Sequence, residues 1–296
     1  MDFGRLITAM VTPFDKHLNI DWGQTAKLID YLIDVQQTDS IVVAGTTGES
    51  PTLSDEEKLE LFRFAVKQSG GRAKIIAGTG SYDTNHSVHL SKEAEKAGID
   101  GIMLVAPYYS RPSQSGLFEH FKTIANEISV PVMIYNIPSR TGINIEAKTI
   151  IRLAEQTSNI RFLKESSGNL DQMSYIISGV PEDFRLYSGD DNLTLPVLSI
   201  GGYGIVSVAS HLIGKQMKAM IRAYIEGRPE EASRLHRQLM PMFKGMFECP
   251  HHVPNPVQVK YGLKVKGVDC GDVRLPLVGV TAEEAKFIEE LVRMYE

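Results

Sequence analysis

Short runs of β-branched and apolar residues alternate with amphipathic stretches over most of the chain. That alternation is the pattern of βα units feeding a parallel sheet. The predicted strands are Leu6–Thr12, Ile41–Gly45, Lys74–Thr79, Gly101–Ala106, Val130–Asn136, Ile160–Glu165, Phe184–Ser188 and Gly204–Val208. Between them the apolar positions recur at helical spacing over Asp21–Gln36, Ser54–Gln68, Thr84–Ala97, Ser115–Ile128 and Glu146–Gln156. Ser54-Asp55-Glu56-Glu57 reads as a capping box with acids in the first turn, and Asn169 or Asp171 opens the sixth helix. Gly70-Gly71, Gly98 and Pro131 stop the helices that precede them.

Eight strands with intervening helices predict an α/β protein built on a (β/α)8 TIM barrel over residues 1–226. After Gly227-Arg228-Pro229 the alternation ceases. Helical segments near Glu230–Glu248, Pro256–Val265 and Ala282–Tyr295 follow, which predicts a C-terminal three-helix appendage over residues 227–296. A doubly wound sheet is the rival architecture, but it usually has fewer strands and a longer glycine fingerprint.

Composition narrows the class. With 43% hydrophobic and 23% charged residues over 296 positions, the chain can bury a sizeable core. A net charge of −5 disfavours a nucleic-acid or anionic-membrane surface. Two cysteines, Cys249 and Cys270, are too few for a disulfide framework, so a reducing cytoplasm is expected. Met1-Asp2-Phe3-Gly4-Arg5 lacks the shape of a secretory signal, and no run reaches the ~20 apolar residues that span a bilayer.

In such a barrel the chemistry sits at the C-terminal ends of the strands. Here those ends carry Gly45-Thr46-Thr47-Gly48-Glu49-Ser50, Pro107-Tyr108-Tyr109, Tyr135-Asn136-Ile137-Pro138-Ser139-Arg140-Thr141-Gly142, Lys164, Ser188-Gly189-Asp190-Asp191 and Ser207. Lys164 stands out because Phe162 and Leu163 lead into it, whereas Lys27, Lys58, Lys67, Lys92, Lys96, Lys122 and Lys148 fall on helices and Lys74 begins a strand. An amine in partly apolar surroundings is disfavoured as the ammonium ion, which frees its lone pair to attack a carbonyl. The plainer reading is a rim lysine in water or paired with Glu165.

The neighbouring candidates carry the same two readings. Tyr135 is a core ring with a satisfied hydroxyl, or a phenol able to deliver and remove the protons of carbinolamine formation and dehydration. Thr46 and Thr47 are turn residues, or part of a glycine-flanked loop whose amides approach a small carboxylate. Arg140 is a surface arginine, or a bidentate carboxylate clamp set by a proline turn. Other signals are weak. Gly78-Thr79-Gly80 lacks the third glycine of a dinucleotide fingerprint, and Asp190-Asp191 has no further carboxylates to make a metal site. Cys249, His251 and His252 lack a second ligand pair, and His86 and His89 read as surface residues.

On Gly45–Pro51, Pro107-Tyr108-Tyr109, Tyr135–Gly142, Lys164-Glu165, Ser188–Asp191 and Asn255-Pro256, the chain resembles the dihydrodipicolinate synthase family of the pyruvate-dependent class I aldolases and lyases. The resemblance runs over essentially the whole length. It implies that Lys164 forms a Schiff base with pyruvate, and that Tyr135 is the general acid/base in a relay with Thr46 and with Tyr109 supplied across a dimer interface. Thr47, Gly189 and the Val206 backbone would hold pyruvate, with Asn255 near the back of the site. Arg140 would bind the carboxylate of L-aspartate 4-semialdehyde. The product would be 4-hydroxy-tetrahydrodipicolinate, on the diaminopimelate route to L-lysine, made without metal or organic cofactor by a homotetramer assembled from tight dimers.

N-acetylneuraminate lyase shares the lysine and tyrosine positions but lacks the Pro-Ser-Arg-Thr-Gly loop, so Arg140 is the discriminating residue. Aldolases of other keto-sugar acids, and a silent keto-acid-binding barrel acting as a sensor, are the remaining alternatives. Lysine-inhibited members of the family carry His, His, Asn and Glu where this chain has Asp55, Lys58, Tyr82 and His86, which implies weak or absent lysine feedback.

Overall fold

The computed structural model describes residues 2–250 and 253–295. Eight parallel strands close into a barrel in sequence order: β1 (Leu6–Ala9), β2 (Ser40–Val43), β3 (Lys74–Gly78), β4 (Gly101–Val105), β5 (Val132–Asn136), β6 (Ile160–Glu165), β7 (Arg185–Ser188) and β8 (Gly204–Ser207), with β8 pairing back onto β1. Around them run α1 (Trp22–Asp30), α2 (Asp55–Ser69), α3 (Thr84–Lys96), α4 (Gln114–Asn126), the short α5 (Pro138–Thr141), α6 (Ala147–Gln156), α7 (Leu170–Gly179), α8 (Thr194–Ser199) and α9 (Ser210–Ile225). Three further helices follow, α10 (Pro229–Gly245), α11 (Val257–Val265) and α12 (Ala282–Arg293). The eight-stranded barrel and the late helices match the sequence expectation.

Alternation along each strand makes two cores. Phe3, Ile7, Val42, Ile76, Met103, Met133, Phe162, Tyr187 and Val206 fill the barrel interior, while their neighbours Leu6, Ile41, Ile75, Ile102, Ile134 and Leu163 face the helices. The interior is a packed plug whose upper surface is the floor of any site at the C-terminal ends.

Several strands are shorter than their apolar runs. Ala44 takes φ +53, which turns the chain out of β2 before Gly45. At β5, Pro131 offers no N–H to the ladder; its carbonyl accepts from Ile102, and regular pairing begins at Val132. The predicted first helix divides into α1 and a wider π-type turn at Tyr31–Val35. The caps are as expected. Ser54 Oγ accepts from Glu57 N while Glu57 returns a carboxylate oxygen to Ser54 N, and Asn169 caps α7 through Gln172 N. Among the described residues, no helix is long and apolar enough to cross a membrane.

Candidate active site

The position of Lys164 follows from strand parity. On β6, Phe162 and Lys164 point inward, whereas Leu163 and Glu165 point outward. Phe162 packs on Phe3 and Tyr187 in the plug, and Lys164 stands one layer higher, only 4% exposed. Its register partners are Tyr135 on β5 and Tyr187 on β7. The Lys164 Nζ lies 4.0 Å from the centroid of the Tyr135 ring. The ammonium therefore meets an aromatic face, the arrangement of a cation–π contact.

Glu165 does not pair with Lys164. Its carboxylate accepts from Asn136 Nδ2 at 2.9 and 3.1 Å, from Ser167 N at 2.8 Å and from Gln172 Nε2 at 3.2 Å. Burial pushes the Glu165 pKa up, and these donors pull against it. The same cluster ties β6 to the loop after β5, because Asn136 Nδ2 also donates to Asn144 and Asn136 Oδ1 accepts from Ile145 N. The plainer reading of Lys164 as a rim lysine is thus corrected: adjacent residues on a strand face opposite ways.

Beside the amine, Gly189 closes the end of β7 at a point where no side chain fits. A Cβ there would lie 1.8 Å from Ser166 Oγ and 3.0 Å from Lys164 Cε. The next residue, Asp190, has its pKa pushed up to about 6, mainly by burial; the Lys164 charge opposes this and Asp191 adds to it. Asp191 is a strut rather than a ligand, accepting from Ser207 Oγ at 2.5 Å, Ala209 N at 2.9 Å and Val208 N at 3.3 Å. Among the described residues, no group of three or more His, Cys, Asp or Glu is placed to hold a metal ion. Val206 is buried in the plug opposite Ile7 of β1.

Thr46, Tyr135 and Arg140 line one cleft of about 730 Å³, together with Met103, Val105 and Tyr108. Thr47, Lys164, Gly189, Val206 and Asn255 do not line it. Thr47 is buried and accepts a hydrogen bond from Asn255 Nδ2 at 2.9 Å, which brings the C-terminal segment to the barrel rim. Arg140 is exposed on α5, a turn stabilised by Thr141 Oγ1 donating to the Ile137 carbonyl. Tyr109 is the outlier. It is 95% exposed, takes φ +70 and does not line this cleft.

Sequence reasoning missed the surroundings of Lys58, His86 and Lys260. Lys58, counted above among helical lysines, is buried and lines the same cleft, 3.4 Å from Asp55 Oδ1. The signal was present: Lys58 shares the buried stripe of α2 with Leu61, Phe62, Ala65 and Ser69. His86 is not a free surface residue either, since its Nε2 is 2.7 Å from Asp55 Oδ2 and its Nδ1 is 3.1 Å from Ser81 Oγ. His89 is exposed as expected. Lys260 is buried against Glu49 at 2.7 Å. Of the Cys249, His251 and His252 cluster, the two histidines lie outside the described residues; Cys249 is buried, with its thiol pushed up to about 11. Cys270 is likewise a buried free thiol, pushed up to about 12 chiefly by burial.

The whole chain is similar to known proteins. The sequence model of the dihydrodipicolinate synthetase family matches residues 2–294. The chain belongs to that family. It is 52% identical over 292 residues to the 4-hydroxy-tetrahydrodipicolinate synthase of Desulforamulus reducens, covering 99% of this chain and 97% of that protein. Among solved structures, a dihydrodipicolinate synthase from Bacillus anthracis superposes with a TM-score of 0.95 at 47% identity, covering 99% of this chain and 98% of the other. The family's enzyme from Cyanidioschyzon merolae, solved with lysine bound, gives 0.95 at 44% identity over 99% and 98% of the two chains. Membership in the family agrees with the resemblance drawn from the loop motifs.

Proposed function

We propose that this protein is a Schiff-base lyase that condenses pyruvate with L-aspartate 4-semialdehyde to 4-hydroxy-tetrahydrodipicolinate. Its relatives, half identical over nearly their full length, bear the name of that synthase. The observation that carries the reading is a buried lysine at a barrel strand end, facing a tyrosine and a glycine that leaves room beside its Cε.

In this reading Lys164 Nζ adds to the keto carbon of pyruvate. Tyr135 gives a proton to the carbinolamine hydroxyl, which leaves as water, and the imine results. Loss of a methyl proton makes the enamine, whose carbon attacks the semialdehyde's carbonyl; the new alkoxide takes up a proton. The substrate's own amine then adds to the imine carbon and displaces Lys164 as the ring closes. One water is lost overall. Thr46 relays protons with Tyr135, while Thr47, Gly189 and the Val206 backbone hold pyruvate and Asn255 braces Thr47. Arg140, on the exposed turn at the cleft mouth, takes the semialdehyde's carboxylate.

Tyr109 is proposed to complete the relay in a neighbouring subunit of a homotetramer built from tight dimers. Its exposure and its φ of +70 support that assignment, because a strained exposed aromatic is better explained by a partner than by this chain. Residues 1–226 are the catalytic barrel and residues 227–296 a buttress for its rim. The compartment is the cytoplasm. An assay offering the purified protein aspartate semialdehyde with pyruvate, and N-acetylneuraminate in parallel, tests the reading. Turnover of the first pair supports it; cleavage of N-acetylneuraminate with no condensation overturns it.

A further inference from the structure

Glu49 is the last residue of the Gly45–Glu49 loop that carries Thr46 and Thr47, and it is held in an unusual way. It takes φ +57 and ψ +34, a left-handed conformation that is strained for a non-glycine residue. Its carboxylate is nevertheless almost entirely buried. One oxygen lies 2.7 Å from Lys260 Nζ, with the two side chains 1% and 3% exposed, and the other accepts from Arg274 N at 2.9 Å. Lys260 in turn donates to the Asp272 carbonyl at 2.8 Å and sits 4.2 Å from the centroid of the Phe14 ring. The loop backbone closes on itself through Gly48 N to Gly45 O, Glu49 N to Thr46 O and Ser50 N to Gly45 O. Every side-chain tether of Glu49 therefore comes from α11 and the segment after it.

A fully buried ion pair is a poor stabiliser, since desolvating both charges offsets most of their attraction. It is an effective device for fixing one geometry. We infer that Glu49 and Lys260 are positioning residues of the condensation: their pair, together with Asn255 on Thr47, fixes the loop that sets Thr46 and Thr47 against bound pyruvate. The inference rests on the functional reading above. It makes the C-terminal helices part of the pyruvate site, although Glu49 and Lys260 touch no substrate.

The test is the double variant Glu49→Gln/Lys260→Met, which removes both charges and leaves neither one stranded. Pyruvate saturation is read from borohydride trapping of the imine, semialdehyde saturation from turnover, and folding from thermal melting. The expected result is a melting temperature close to that of the unsubstituted protein and a pyruvate KM raised about tenfold or more, the cost of losing one well-made polar contact. The semialdehyde KM stays put, because Arg140 hangs on the separate α5 loop held by Asn136 and Thr141. A purely structural role would lower stability or move both constants together. Unchanged pyruvate saturation in the folded double variant overturns the inference. If the double variant does not fold, Glu49→Gln alone decides, since its amide oxygen can still accept from Arg274 N, and unchanged pyruvate saturation there is equally fatal. Failure of the functional reading shows separately, as absence of an adduct in the unsubstituted enzyme.

Discussion

Lys164 and Tyr135 sit directly opposite one another on adjacent strands, and the lysine ammonium lies 4.0 Å from the centre of the tyrosine ring. Their relation is set by the β5–β6 register, which puts the amine against the tyrosine ring.

Tyr135→Phe keeps the ring and removes the proton. The expected outcome is a fall in turnover of roughly 10²–10⁴-fold with the fold retained, the usual worth of a positioned acid/base. Steady-state kinetics and circular dichroism check it together. Turnover within a few-fold of the unsubstituted enzyme would remove Tyr135 from the relay.

Arg140→Ala separates the two substrates. A charged hydrogen-bonding partner is worth about 1.5–3 kcal/mol, so kcat/KM for the semialdehyde should fall roughly 10- to 100-fold. Trapping of pyruvate should persist, because Arg140 is on the exposed α5 turn and Lys164 is buried. Loss of both would mean that the arginine organises the site instead of clamping one substrate.

Free lysine should inhibit weakly or not at all. At the positions where lysine-inhibited family members carry His, His, Asn and Glu, this chain has Asp55, Lys58, Tyr82 and His86. Its lone carboxylate there, Asp55, is already engaged by His86 at 2.7 Å with Lys58 at 3.4 Å, leaving an added cation opposed by one already present. A titration of initial rate against lysine checks this, and strong inhibition at millimolar concentration would contradict it.

Stability should decline in mild acid through His211. Buried completely, it accepts from Val11 N and pairs its other nitrogen with the Val208 carbonyl; burial holds its pKa down at about 4, against 6.5 for the free side chain. Between those values the unfolded chain binds the extra proton, so the contribution is complete above pH 6.5 and is lost as pH falls toward 4. Its size is on the order of 3 kcal/mol. His120, also lowered to about 4, acts in the same sense, while Asp190, raised to about 6, acts oppositely between about 6 and 3.8. His211→Asn should flatten the dependence of unfolding free energy on pH in that window, whatever its constant offset; an unaltered slope would refute the assignment.

Much of this architecture was legible in residue pattern. Strand parity sets Lys164 and Glu165 on opposite faces, although the sequence reading left their pairing open, and the loop motifs identify the family. The missed features are those in which tertiary contact overrides a residue's habit. Lys58 and Lys260 look like solvated helix lysines until Asp55 and Glu49 are found beside them. The end of β2 depends on a positive φ at Ala44, which nothing in an apolar run announces. Tyr109 is exposed in the single chain, and its proposed role depends on a partner subunit, which no residue pattern within one chain announces.

The central claim is that Lys164 is the nucleophile. Incubating the protein with pyruvate, reducing with borohydride and locating the adduct by peptide mass spectrometry tests it most directly. The account predicts one reduced pyruvate adduct, on Lys164, absent from Lys164→Ala even though that variant folds. An adduct on another lysine, or none in the unsubstituted protein, would contradict it.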